Sequence, residues 1–264
     1  MNPIVRLALE EDIGAGDITS QACVPESQQA RGRFVAREAL IVAGLEVLGE
    51  LYPSLSLEKH DGDRCQEGEI IAEVAGDARL LLGRERVALN FLQRLSGVAT
   101  LARQFADAVQ GTGCKILDTR KTTPGMRALE KAAAAAGGVT NHRMGLFDAI
   151  LIKNNHIAAA GGVRNAIDRA RSAGREIEIE VRTRAELREA LDCGANHLLL
   201  DNLTPSDAAD WVREIAGRAR VELSGGINLG TVRAYAETGA DFVSAGAITH
   251  SARAMDISFR LELV

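Results

Sequence analysis

The stretch IEIEVRTRAELREALDCGANHLLLD, residues 177–201, holds a complete strand–helix–strand unit and decides the fold class. Its first and last five residues have the apolar character of buried strands. Between them, Thr183 and Glu186 form a capping-box pattern ahead of an apolar helix face, and Gly194 stands where a helix should stop. Two strands joined by one helix are expected to pair in parallel, through a right-handed crossover.

The same plan recurs from about Lys115 onward. Thr204 and Pro205 supply a cap and a first-turn proline, while Asn228 and Gly239 are expected to start and end a later helix. Strands alternating with helices predict either an α/β barrel or a doubly wound sheet. The strands predicted in this region are Lys115–Thr119, Ala149–Lys153, Ile177–Val181, His197–Asp201, Val221–Ser224 and Asp241–Ala245.

The first part of the chain lacks this rhythm. Gly32–Arg37 and Ile70–Val74 are typical of strands, and Leu81–Val109 is typical of a long helix linking two domains. We therefore predict an amino-terminal α/β sandwich domain with its linking helix over 1–110, and a barrel domain over 111–264. A return of the last residues to the first domain is left open.

Composition excludes several classes of function. A net charge of -5 disfavours nucleic acid as a partner, and no apolar run is long enough to cross a membrane. Residues 1–13 reach three acidic side chains early, so a secretion signal is not expected. The cysteines are few and widely spaced, which favours reduced thiols in a cytoplasmic protein over a disulfide or zinc framework. They are Cys23, Cys65, Cys114 and Cys193.

Charged side chains recur where the predicted strands end. In a parallel barrel, the carboxyl ends of the strands and the loops that follow build the active site. Any one of these charges is as readily a solvated loop residue, but their recurrence at the same topological point favours a site. They are Asp118, Arg120, Lys121, Lys153, Glu178, Glu180 and Asp201.

The last two predicted strands end in small residues instead. Val221–Leu223 runs into Ser224-Gly225-Gly226, and Phe242–Val243 runs into Ser244-Ala245-Gly246. Small residues let backbone N–H groups approach an anion, and the last strands of such barrels are where phosphate sites commonly lie. Two such turns predict a phosphate site.

A cluster of cations lies between these features. Arg120, Lys121, Arg143 and Lys153 stand close in sequence to His142. The planar fork of arginine binds a carboxylate through two hydrogen bonds, so this set suits a small polyanion. Aromatic residues make up 3% of the chain and none interleave here, so base stacking is not supported.

Several motifs together resemble one known family. They are ALEEDIGAGDITS, ERVALNFLQRLSGVAT, DTRKTTPG, GGVTNHRMGLFDAILIKNNHI, EIEVRT, LLLDN, VELSGGI and DFVSAGAITHSARAMDIS, in order over nearly the whole chain. They resemble the quinolinate phosphoribosyltransferases, also called carboxylating nicotinate-nucleotide pyrophosphorylases. The resemblance implies an amino-terminal sandwich domain, an open α/β barrel of parallel strands, and a homodimer with shared active sites. Asn154 departs from the pattern, where relatives often have an acidic residue.

The resemblance also implies roles for individual residues on the quinolinate side. Two carboxylates of quinolinate would be bound by a basic pocket, to which the partner subunit contributes Arg86. The other substrate-binding residues implied here are Thr119, Arg120, His142, Arg143 and Lys153.

On the ribose side, the implied substrate is phosphoribosyl pyrophosphate and the implied cofactor is Mg²⁺. Lys121 would meet this donor, and Glu180 and Asp201 would hold the ribose hydroxyls and, through the bound substrate, the metal. The residues that would cradle phosphate or lie beside it are Ser224, Gly225, Gly226, Ala245, Gly246 and His250.

The implied reaction joins the pyridine nitrogen to the ribose and releases pyrophosphate and carbon dioxide. Alternatives remain open at this point. They are a related pyrophosphorylase of molybdate-transport operons, a nicotinate phosphoribosyltransferase, a Schiff-base aldolase that uses Lys153, and a non-catalytic anion-binding protein.

Overall fold

The structure is a computed structural model that describes residues 1–264. It divides into two compact units, one formed by residues 1–103, 123–138 and 251–264, the other by residues 104–122 and 139–250. An α/β fold of two parts is thereby confirmed.

The elements alternate along the chain much as the sequence predicts. In order they are α1 (Pro3–Ile13), α2 (Ile18–Cys23), β1 (Gln29–Ala36), β2 (Leu40–Ile41), α3 (Leu45–Leu51), β3 (Leu55–Leu57), β4 (Arg64–Cys65), β5 (Ile70–Asp77), α4 (Ala78–Ala108), β6 (Lys115–Leu117), α5 (Arg127–Ala136), β7 (Ile150–Ile152), α6 (Asn154–Ala160), α7 (Val163–Arg171), β8 (Ile177–Val181), α8 (Arg184–Asp192), β9 (His197–Asp201), α9 (Pro205–Ile215), β10 (Arg220–Ser224), α10 (Val232–Ala236), β11 (Phe242–Ser244), α11 (Ala247–His250) and β12 (Ile257–Leu263).

The first unit is built on an antiparallel sheet of strand order β12-β1-β5-β3. Aromatic side chains fill its core: the ring of Phe34 lies 4.9 Å from that of Phe259 and 5.9 Å from that of Tyr52, centre to centre. Both Phe34 and Tyr52 are buried. Helix α4, the predicted linking helix, contributes the buried Leu92 and Leu95.

The second unit is a parallel sheet of strand order β6-β11-β10-β9-β8-β7. From β7 to β11, each new strand is added on the same side of the one before it. In a doubly wound sheet, by contrast, the strand order reverses at an interior point. Strands β6 and β7 stand at the two edges without pairing to each other. The order therefore selects the barrel from the two predicted architectures, and the barrel is open.

The unit boundaries differ from the predicted division at 110/111. Residues 123–138, with α5, and residues 251–264, with β12, belong to the first unit. Strand β12 pairs along the whole of its length with β1, so the last residues do return. The sequence does not show that these segments belong to the first unit. Helix α4 continues without a break past residue 103, and α5 looks like any helix that connects two strands.

Two predicted helix starts have different outcomes. Thr183 accepts the N–H of Glu186 at 3.1 Å and Glu186 accepts that of Thr183 at 3.2 Å, which confirms the capping box. The expected start at Asn228 is wrong, because α10 begins at Val232. Asn228 instead closes a turn, since its side chain accepts the N–H of Gly230 at 2.9 Å.

None of the helices combines the length and the apolar character needed to cross a bilayer.

Candidate active site

A cavity of about 430 Å³ lies at the carboxyl ends of the barrel strands. Its wall combines cations, carboxylates and the Ser-Gly-Gly turn, as the recurrence of charges at strand ends predicts. The residues that line it are Thr119, Arg120, Lys121, His142, Arg143, Leu151, Lys153, Glu180, Leu199, Asp201, Asn202, Glu222, Ser224, Gly225, Gly226 and Ser244.

Most of the predicted site residues come together in this cavity, and four do not line it: Arg86, Ala245, Gly246 and His250. Arg86 is exposed on α4 in the first unit. Residues 245–250, which include α11, pack behind Lys121: a Cβ on Gly246 would lie 2.8 Å from Lys121 Cδ, and Thr249 Oγ1 donates to the Lys121 carbonyl at 2.7 Å. This segment supports Lys121, while its phosphate contact stays a prediction.

Two arginines give the cavity its positive charge. Arg143 is partly buried, and burial together with the neighbouring charge of Arg120 lowers the pKa of its guanidinium. Two like charges held this close favour an anion between them. Arg143 Nη1 also donates to the carbonyl of Ala149 at 3.1 Å, which fixes the fork in place.

Three further charged side chains of the cavity have a polar partner. Lys153 Nζ lies 3.4 Å from Glu180 Oε2, and Asp201 Oδ2 accepts a hydrogen bond from Asn202 Nδ2 at 2.7 Å. A Schiff-base lysine is activated by a desolvated apolar site or by a neighbouring cation, whereas the side chain of Lys153 is 48% exposed beside a carboxylate. The geometry therefore does not favour an aldolase lysine at position 153.

Asp118 positions the loop that carries His142 and Arg143. Its side chain is fully buried at the end of β6, and it accepts the N–H of His142 at 2.7 Å and the side-chain amide of Asn141 at 2.6 Å. The sequence suggested a charge facing the cavity. Instead, the buried carboxylate is a fixed acceptor that holds the backbone N–H of His142 and the side-chain amide of Asn141.

The Ser-Gly-Gly turn depends on glycine. Gly225 has φ of +105°, and a Cβ there would lie 2.2 Å from Asn202 Oδ1 and 2.8 Å from Asn202 N. Asn202 N–H in turn donates to the Ser224 carbonyl at 2.9 Å. Only a glycine permits this approach, which leaves room at the cavity edge for a phosphate.

The comparisons with known proteins agree over the whole length of the chain. Residues 17–96 match the family model described as quinolinate phosphoribosyl transferase, N-terminal domain, and residues 98–260 match the C-terminal domain. The chain belongs to the quinolinate phosphoribosyltransferase family. Membership of this family confirms the resemblance seen in the sequence motifs.

Similar relatives come from distant organisms. A probable nicotinate-nucleotide pyrophosphorylase [carboxylating] of Bacillus subtilis is 43% identical, over 96% of this chain and 90% of the relative. The chloroplastic enzyme of that name from Arabidopsis thaliana is 39% identical, over 99% and 83%. The structure of the nicotinate-nucleotide pyrophosphorylase from Francisella tularensis superposes with a TM-score of 0.95 at 36% identity, covering 99% and 95%.

Four residues that line the cavity were not among the site residues predicted from the sequence: Leu151, Leu199, Asn202 and Glu222. The signal for Glu222 was present, because it alternates with Ser224 on β10 and so faces the same side. Leu151 and Leu199 add apolar wall, which suits the faces of an aromatic ring.

Proposed function

We propose that this chain transfers the phosphoribosyl group of phosphoribosyl pyrophosphate to quinolinate, with decarboxylation, to give nicotinate mononucleotide, pyrophosphate and carbon dioxide. One observation supports this most directly: Arg120 and Arg143 lie in the same cavity as the turn formed by Ser224, Gly225 and Gly226. A site for a dicarboxylate thus adjoins a site for a sugar phosphate. The names of the relatives point to the same reaction.

The reaction requires the protein to stabilise charges on the pyrophosphate and the ribose more than to abstract a proton. The pyridine nitrogen has no proton to lose, so the transfer step needs no general base. Lys121 would stabilise the oxygens of the departing pyrophosphate, while Glu180 and Asp201 would offset the positive charge that develops on the ribose. Holding both substrates in one cavity supplies much of the remaining acceleration.

Magnesium fits the carboxylates at this edge of the cavity. Glu180 and Asp201 offer oxygen donors, and Mg²⁺ commonly takes one or two protein carboxylates while the substrate phosphates and water supply its other ligands. When bound, the ion would neutralise part of the negative charge on the pyrophosphate.

We propose a homodimer in which Arg86 reaches the active site of the partner subunit. Arg86 is exposed on α4, where it is available to another chain. Leu146 and Phe147, in the loop that follows Arg143, are 74% and 76% exposed, and adjacent exposed apolar side chains favour a contact with another protein surface. Mixing Arg86→Ala subunits with Lys121→Ala subunits should restore activity, and its absence in the mixture would contradict a shared site.

The cytoplasm remains the proposed compartment. All four cysteines are free and three of them are buried, which suits a reducing environment.

The decisive experiment is incubation of the protein with quinolinate, phosphoribosyl pyrophosphate and Mg²⁺. We expect nicotinate mononucleotide and carbon dioxide to form in equal amounts. Nicotinate in place of quinolinate serves as the matched control, since it lacks the carboxylate that is lost. Equal turnover of nicotinate, or no turnover of quinolinate, would reject the proposal and favour one of the related enzymes.

A further inference from the structure

A second cavity, of about 230 Å³, lies inside the barrel. It shares His142, Arg143 and Glu222 with the cavity of the candidate active site. Ile150, His197 and Phe242, which begin strands β7, β9 and β11, line its other end. The two cavities therefore adjoin, with Glu222 and His142 in the wall between them.

This wall holds a cluster of titratable groups, of which the proposed roles leave Glu178, Glu222 and His197 unused. His142 Nε2 lies 3.4 Å from Glu178 Oε2 and 3.5 Å from Glu222 Oε2, and His197 Nε2 lies 3.5 Å from Glu178 Oε1. Glu178 and Glu222 are 5% and 1% exposed. Both carboxyl oxygens of Glu222 lack a hydrogen-bond partner.

A metal ion does not account for this cluster. One ligand atom each from His142, Glu178 and Glu222 lies within 4.8 Å of the others, which is close enough for a shared ion. However, His142 Nδ1 accepts the N–H of Arg143 at 2.7 Å, so this nitrogen carries no hydrogen. In the neutral ring the hydrogen is then on Nε2, which presents an N–H and not a lone pair to the carboxylates.

The two glutamates hold different protonation states. Burial, followed by the charge of Glu178, raises the pKa of Glu222 to about 8. Glu178 lies beside Glu222 and is itself contacted by His142 and His197. Two carboxyls that share one buried site do not both ionise readily, and Glu222 is the more deeply buried of the two, so Glu222 is the neutral partner near pH 7.

We propose that Glu222 is the acid that protonates the pyridine carbon from which carbon dioxide departs. This inference rests on the proposed function, because only a decarboxylation leaves that carbon in need of a proton. A neutral carboxyl also suits its place in the wall, since an ionised one would repel the dicarboxylate substrate.

The step balances without any further reagent. The bond between the ring carbon and its carboxylate breaks, carbon dioxide leaves, and the electron pair stays on the carbon. That pair takes the proton of Glu222, which becomes a carboxylate facing the N–H of His142. Water in the interior cavity would then return a proton to Glu222. Among the other charged donors of the active-site cavity, the arginines keep their protons, Lys153 is paired with Glu180, and Lys121 is assigned to the departing pyrophosphate.

The test is a single turnover of Glu222→Gln with quinolinate, phosphoribosyl pyrophosphate and Mg²⁺, beside wild type. We expect formation of the nucleotide to fall about 100-fold, within the range of general acid catalysis, while quinolinate binding measured by calorimetry stays near that of wild type. In mixed H₂O and D₂O, the ratio of the two isotopes at the new C–H bond should also change. That ratio reports the proton donor whichever step limits the rate.

The pH profile supplies a readout that a structural role would not move. The donor must be protonated, so the wild-type rate should fall as pH rises through about 8. Three groups face Glu222: Glu178 on β8, Ser244 on β11, and His142 in the loop before β7. His197 in turn contacts Glu178. Glu222→Asp should keep the alkaline fall, Glu222→Gln should lose it, and Glu178→Gln should move it to lower pH because a negative neighbour is removed.

Two outcomes separate this inference from the proposed function. If wild type forms no nucleotide, the proposed function fails. If wild type is active and Glu222→Gln keeps both the rate and the isotope ratio of wild type, the proposed function survives and the role of Glu222 is wrong.

Discussion

The buried carboxylate of Asp118 accepts the backbone N–H of His142 at 2.7 Å, and so ties the end of β6 to the loop that carries Arg143. We expect Asp118→Asn to raise the KM for quinolinate more than that for the ribose donor. An asparagine side chain has only one acceptor oxygen, so it cannot accept from both His142 and Asn141. The lost acceptor should also cost about 1–3 kcal/mol of stability.

Asp241→Asn is the matched control for Asp118. Asp241 Oδ2 accepts the N–H of Val221 at 2.8 Å, ahead of β11 and outside the cavity-lining set. Because an asparagine oxygen can still accept this one N–H, Asp241→Asn should leave both the stability and the two KM values near those of wild type. Steady-state kinetics and urea unfolding of both variants test this, and equal kinetic effects would contradict a positioning role for Asp118.

Arg120→Lys keeps the charge of the carboxylate pocket but loses the planar fork. We predict a fall in kcat/KM for quinolinate equivalent to about 1–3 kcal/mol of transition-state binding. Arg182→Lys, at an exposed position just past β8, should leave kcat/KM unchanged. Turnover of Arg120→Lys at the wild-type level would reject a bidentate contact.

Gly225→Ala should raise the KM for the ribose donor and destabilise the protein. Its Cβ would lie 2.2 Å from Asn202 Oδ1, at a φ of +105° that alanine rarely adopts. Gly226→Ala is the control, because that site has a φ of +63° and no atom within 4 Å of the added Cβ, so its cost should be only about 1 kcal/mol. Donor KM values at the wild-type level in both variants would count against the turn as a phosphate cradle.

Glu130→Gln should lower the free energy of unfolding by roughly 3 kcal/mol, the low end for a buried pair. Glu130 is fully buried and lies 2.7 Å from Arg94 Nη2, and Thr123 N–H donates to it at 3.0 Å. The low end applies because Arg94 keeps 23% exposure. Glu237→Gln, which breaks the exposed pair with Arg233, should cost about 0.3–0.5 kcal/mol; equal losses in urea unfolding would contradict this account.

The pair of Glu38 and Arg253 predicts an acid-dependent loss of stability. The hydrogen bond from Arg253, with that from Asp256 N–H, lowers the pKa of Glu38 from 4.5 to about 2. A depressed pKa contributes stability above pH 4.5 that is lost as pH falls toward 2. Urea unfolding of wild type and Glu38→Gln should therefore differ more at pH 6 than at pH 3; a constant difference would contradict the linkage.

The sequence by itself determined the elements and the chemical content of the site. The alternation of strands and helices, the capping box at Thr183 and the turn at Gly225 each depend on residues close together in the chain. Local patterns in the sequence are therefore enough to predict them. The positions of Arg120, Arg143 and Lys153 at or after the ends of predicted strands could likewise be recognised from the sequence motifs.

Only the tertiary structure decided how these parts are arranged. Strand order separates an open barrel from a doubly wound sheet, and it arises from pairing between residues far apart in sequence. The same holds for the return of β12 to β1, the burial of Asp118, and the meeting of Glu178, Glu222 and His142 inside the barrel. A side chain's solvation and protonation depend on groups from other strands, which no local pattern specifies.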